Sequence, residues 1–132
     1  MLIMTNLNFI SPFFIVWSLK DSVSFYVNKL GFEVWYTGPD DGPYWAMVGR
    51  GPVSIMLKAI ADDIKPIPNH TRHEWARWDA CISIEDPDSL FEEYNLNGVT
   101  FRQPIHDNSD GLHGFEVEDA DGYVLYFGRP KV

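Results

Sequence analysis

The sequence predicts an α+β fold built from two copies of one βαβββ module, and three observations carry the prediction. The first is composition: 132 residues, 45% hydrophobic and 15% aromatic, suffice for one ordinary domain (residues 1–132) with a real core. The second is a stretch near the end of the chain, Phe115 to Gly128. There two runs of β-branched and aromatic residues flank Asp119-Ala120-Asp121-Gly122. It reads as a β-hairpin, because Gly122 can take the positive φ that a tight reversal needs. The third is an internal correspondence of Ser18 with Asp86, Gly31 with Gly98 and Met56 with Tyr126, at separations of 68, 67 and 70 positions. So long a period is no solenoid repeat. It points to a duplicated unit whose sheets are completed by each other or by a second chain.

The first module is placed at residues 10–58. Phe13 to Trp17 is apolar without alternation and reads as a strand covered on both faces. Ser18 is an N-cap, Asp21 an anion in the first helical turn, and Val23, Tyr26, Val27 and Leu30 recur at helical spacing up to Gly31. Three strands follow: Phe32 to Thr37, Tyr44 to Val48 and Val53 to Lys58. They are separated by the turn-forming Gly38 to Pro43 and Gly49 to Pro52.

Residues 59–77 turn polar and irregular, with Pro66, Pro68 and two histidines, and are read as a linker. The second module is placed at residues 78–130. Asp79 to Ile84 is a strand, and Asp86-Pro87-Asp88 combines an N-cap, a proline at the first helical position and a first-turn acid. Leu90, Phe91 and Tyr94 mark the buried face of that second helix, and Gly98 closes it. Val99 to Ile105 is the next strand, and a polar loop from Asp107 to Asp110 leads to the hairpin.

Charge and cysteine usage exclude several functions. A formal net charge of -9 would repel a phosphate backbone, and no Lys/Arg cluster breaks it, so nucleic acid is not an expected partner. The lone Cys81 cannot form an internal disulfide, and the apolar N-terminal stretch lacks a basic region and is interrupted by Pro12. A cytoplasmic protein without a membrane span is expected. No Gly-x-Ser-x-Gly, P-loop, Rossmann or Cys-x-x-Cys pattern supports nucleophilic or nucleotide chemistry.

The stretch Val16 to Tyr26, with its Ser and Phe-Tyr pair, the Leu30-Gly31-Phe32 step, and Gly111 to Tyr123 resemble the first strand, first helix and closing hairpin of the vicinal-oxygen-chelate superfamily. This superfamily groups glyoxalases, bleomycin-resistance proteins and extradiol dioxygenases. Ala120 stands where the family usually has Pro in its acidic turn. The resemblance implies eight strands forming a cupped mixed sheet around a ligand cavity, commonly in a homodimer. Fold does not fix function.

Enzymes of the family place His, Gln or Glu at four inward positions that hold a divalent ion, and here the corresponding residues are Ser11, Met56, Asp79 and Tyr126. Only Asp79 is a good ligand for a hard ion, so no metal and no cofactor is expected. His70 and His73, beside Glu74, read as parts of a polar loop, and His106 as a strand-end residue. The expected ligand-binding residues are Trp35, Tyr44, Trp45, Met56, Asp79, His113 and Tyr126.

Two functions follow. One is a metal-independent small-molecule binding protein of the bleomycin-resistance kind, sequestering a planar or cationic ligand in an aromatic cup at a dimer interface. The other is a glyoxalase- or dioxygenase-type metalloenzyme using Asp79 with non-standard ligands such as Glu116 or His113.

Overall fold

The computed structural model describes residues 6–131. The elements run β1 (Phe13–Ile15), α1 (Leu19–Ser24), β2 (Glu33–Gly38), β3 (Trp45–Arg50), β4 (Val53–Lys58), β5 (Ala80–Ser83), α2 (Pro87–Leu96), β6 (Phe101–Asp107), β7 (Leu112–Glu118) and β8 (Val124–Pro130). The order is βαβββ twice. The eight strands form two four-stranded sheets, ordered β1-β4-β3-β2 and β5-β8-β7-β6. In each, the first strand pairs parallel with the last and the other pairings are antiparallel. Among the described residues no helix is long and apolar enough to cross a membrane.

Local chemistry explains the helices. Ser18 Oγ accepts the Asp21 N–H, and the Asp86 carboxylate accepts the Ser89 N–H with Pro87 at the first helical turn. Past Ser24, α1 widens into a π-helical turn, Phe25–Lys29, which buries Tyr26 completely. Gly31 at φ 73° then ends it.

β1 is shorter than its apolar run, and the reason is specific: the Trp17 N–H is taken by the Asp121 carboxylate at 2.9 Å instead of a ladder partner. Nor is this strand covered on both faces. Phe14 is buried in the core, whereas Phe13 is 52% exposed, so the expectation of two-sided burial is corrected by ordinary strand alternation.

One continuous core joins the modules. Phe14, Val48, Ile55 and Leu57 of the first sheet and Ile82, Phe115, Val117, Leu125 and Phe127 of the second pack with Tyr26, Leu30 and Tyr94 from the helical segments. Polar contacts fasten the same seam. The Tyr94 hydroxyl donates to the Leu30 carbonyl at 3.0 Å, the Tyr123 hydroxyl to the Ile15 carbonyl at 2.6 Å, and Arg50 pairs with Glu93 through both ends of its fork. Phe14 and Tyr123 stack with ring centres 4.3 Å apart. The helices cover one face of each sheet; the other face is partly open on the first sheet and covered on the second, where Trp78 lies over the buried Tyr126.

Candidate functional site

Strand alternation decides what the uncovered face of the first sheet carries. Because Ala46, Val48, Ile55 and Leu57 point into the core, Trp45, Met47, Gly49, Ser54, Met56 and Lys58 point away from it. Two tryptophans lie close on this surface. A side chain at Gly49 would meet the Trp35 ring at 2.2 Å, and one at Gly38 would meet the Trp45 ring at 3.0 Å. The Trp35 ring occupies space that only glycine leaves free, and the Trp45 ring sits tightly against Gly38. Phe9 packs edge-on against Trp35, with centres 6.0 Å apart at 76°, and the Ser11 and Ser54 hydroxyls meet nearby. Tyr36, opposite Met47, is 62% exposed, and Tyr44 is 48% exposed with the Lys58 ammonium 5.6 Å from its ring centre.

The corresponding face of the second sheet is a layered stack. Tyr126 lies over Gly128, where an added Cβ would fall 2.5 Å from its ring, and Trp78 stacks on it at 4.2 Å and 18°. The Arg77 guanidinium sits 5.0 Å above Trp78 and is ion-paired with Asp110. Tyr126 is only 1% exposed, and burial pushes its phenol up from the ordinary value. Beside it, the buried Glu116 pairs with Arg102 at 3.2 Å.

Between the sheet edges runs a groove of about 450 Å³ lined by Ser11, Ser54, Asp79, Cys81 and Ser83 among apolar side chains. Cys81 is exposed, and desolvation raises its thiol. Of the seven residues expected from sequence, Trp35, Trp45 and Met56 share the first sheet's open face, with Tyr44 under Lys58 at its end. Asp79 lines the groove, and Tyr126 lies beneath Trp78. His113 is elsewhere: it shares the parity of the buried Phe115 and Val117, and its ring meets Asp88 of α2. That removes it from the neighbourhood of Asp79. Sequence reasoning passes over Arg77, Trp78 and the floor glycines as site residues. Cross-strand register would have exposed the ring-over-glycine pairs, and register is not written locally.

The donor set implied for a divalent ion does not fit one. Asp79 spends one carboxylate oxygen on the Asn69 N–H and the other on the Val124 N–H, each at 2.8 Å. Ser11 is engaged by Ser54, Tyr126 is buried under Trp78, and Met56 offers a soft thioether. The linker histidines are held by backbone, His70 Nε2 at 2.9 Å from the Gly122 carbonyl and His73 Nδ1 accepting the Trp75 N–H at 3.0 Å. Among the described residues no group of three or more His, Cys, Asp or Glu side chains is gathered for a metal.

A family model described as the glyoxalase/bleomycin resistance protein/dioxygenase superfamily matches residues 8–127. No curated protein matches the chain. Among solved structures, the bleomycin-binding protein from bleomycin-producing Streptomyces verticillus, complexed with copper(II)-bleomycin, is 25% identical. That match covers 94% of this chain and 97% of the other with a TM-score of 0.65. TnmS3, an antibiotic-binding protein from Streptomyces sp. CB03234, is 19% identical over 97% of this chain and 100% of its own, with a TM-score of 0.66. A glyoxalase-related enzyme from Clostridium phytofermentans is 17% identical over 96% and 97%, with a TM-score of 0.74. At such identities the last two speak for the fold alone.

Proposed function

Since the chain belongs to the glyoxalase/bleomycin resistance protein/dioxygenase superfamily, we propose that it is a metal-independent small-molecule binding protein. In this reading it sequesters a planar or cationic ligand against the open face of its first sheet, in a cup that a second copy of the chain completes. The observation that carries this reading is the surface formed by Trp35, Tyr36, Tyr44, Trp45, Met47 and Met56. Its tryptophans are seated over glycines and its tyrosines are half to two-thirds exposed. Aromatic rings held in place supply stacking area at little entropic cost, and Met adapts to irregular ligand shapes. The bleomycin-binding protein among the structural relatives, 25% identical, supports a small-molecule ligand. Lys58 already sits over Tyr44 and Arg77 over Trp78, so a cationic ligand has Trp45 and Tyr36 as its unshared ring faces. That both oxygens of Asp79 accept backbone N–H groups supports the metal-free reading over the metalloenzyme one.

A tryptophan-fluorescence titration tests this, with bleomycin and a panel of planar amines as probes. Binding should quench or shift the emission, and Trp45→Ala should weaken it by about 2- to 12-fold, the equivalent of about 0.5–1.5 kcal/mol per stacked ring. The far-ultraviolet dichroism should stay unchanged. If no planar compound binds, or if neither Trp35→Ala nor Trp45→Ala affects binding, the proposal fails.

A further inference from the structure

His113 sits where three elements meet, away from the aromatic face. Its Nδ1 is 2.8 Å from Asp107 Oδ1 at the end of β6, and its Nε2 is 3.1 and 3.2 Å from the two carboxylate oxygens of Asp88 in the first turn of α2. A neutral imidazole carries one N–H and one lone pair, so it can satisfy only one of these partners and must turn a lone pair on the other. Both carboxylates are served only when both ring nitrogens carry protons. The other charged groups around the ring do not alter that count. Lys131 pairs with the far oxygen of Asp107 at 3.3 Å, and Arg129, directly across the ladder from His113, donates to the Glu85 carbonyl at 2.9 Å. Glu85 and Asp86 line the same surface hollow, adding negative charge that favours an imidazolium.

We propose that His113 is a doubly protonated clamp that ties the first turn of α2 to the β6–β7 hairpin, and that its deprotonation releases that turn. The two carboxylates also raise its titration above the ordinary histidine value, through the hydrogen bond the ring donates to Asp107 first and the one it donates to Asp88 second. An unfolded-chain histidine titrates at about 6.5. The clamp's contribution is complete below that pH and is lost as pH rises through the higher folded value. While both carboxylates stay ionised, the device answers to rising pH. Because Asp88 lies near the helix N-terminus, release leaves α2 capped by Asp86 and tied through Glu85 to Arg129 of β8, but without its link to the β6–β7 hairpin.

Proton NMR of the His113 Cε1–H across pH tests the proposal on the intact chain. The expected midpoint lies above 6.5, falls in Asp88→Asn and in Asp107→Asn, and returns to about the ordinary value in the double variant. Hydrogen exchange at Ser89 and Leu90, corrected for the intrinsic base dependence, should accelerate through the wild-type midpoint and show no such step in His113→Gln. Should His113→Gln not fold, the two Asn variants still read the ring itself. A wild-type midpoint at or below the ordinary value, or one unmoved by either Asn substitution, overturns the proposal.

Discussion

The Tyr26 hydroxyl donates a 2.6 Å hydrogen bond to Asp119 Oδ2, joining the π-helical turn of the first module to the closing hairpin of the second across 93 positions of sequence. The other carboxylate oxygen accepts the N–H groups of Asp121 and Tyr123, each at 2.9 Å, so one side chain both shapes the turn and receives the helix. Desolvation by burial pushes Asp119 up to about 7 despite these three donors, and it raises Tyr26 well above the ordinary phenol value.

The pH dependence follows with a definite sign. Between the unfolded value of about 3.9 and the folded value of about 7, the folded chain holds a proton that the unfolded chain has released. Stability from this group therefore falls as pH rises through that window, by about 1.4 kcal/mol for each pH unit. Asp119→Asn keeps the Oδ1 acceptor for the turn and offers an N–H to a Tyr26 hydroxyl that rotates to accept it. The melting-temperature advantage of the variant over wild type should widen from pH 4 to 7 and then level off. A difference constant with pH would show that Asp119 does not carry this charge cost.

Gly49→Ala should destabilise the protein by about 1–3 kcal/mol, the usual cost of overpacking. The added methyl would lie 2.2 Å from the Trp35 ring. In a Trp35→Ala background the same change should cost far less, and thermal melts of the four proteins in this cycle would measure the coupling. Equal cost in both backgrounds would mean that the ring and the glycine are independent.

Chelation should leave the protein as it was. With both oxygens of Asp79 committed to backbone N–H groups, EDTA is expected to change neither the melting temperature nor ligand affinity. A fall of several degrees, reversed by Zn, Ni, Mn or Fe, would locate a metal site the donor geometry does not reveal.

Self-association is the fourth expectation. Phe13, Tyr36, Phe9 and Ile10 leave an apolar surface exposed on and beside the first sheet. Sedimentation at micromolar concentration should give twice the chain mass. A monomer at that concentration would leave the cup without its second wall.

The elements that announce themselves locally are readable in the sequence. The Asp119-Ala120-Asp121-Gly122 reversal is the β7–β8 turn with Gly122 at φ 88°, and Ser18 and Asp86 cap the helices as their neighbours predict. What escapes is non-local. The π-helical turn after Ser24, the handover of the Trp17 N–H to Asp121 and the face of β7 that carries His113 depend on partners 25 to 104 positions away. The floor glycines read as turn residues or as nothing in particular, because a glycine beneath a ring and a glycine in a bend look the same until the strands are paired.

The seating of Tyr126 also orders the chain's possible histories. While the phenol ring lies 2.5 Å from where a Cβ of Gly128 would stand, that glycine cannot acquire a side chain without displacing it. A side chain at position 128 therefore requires the ring to shift or to be replaced by something smaller. Gly114 gains nothing from such a change, because its added carbon would fall 2.2 Å from the Phe127 carbonyl whatever occupies position 126. A variant that trades the aromatic stack for another ligand chemistry by shrinking residue 126 would leave Gly128 uncovered and its position free to carry a side chain.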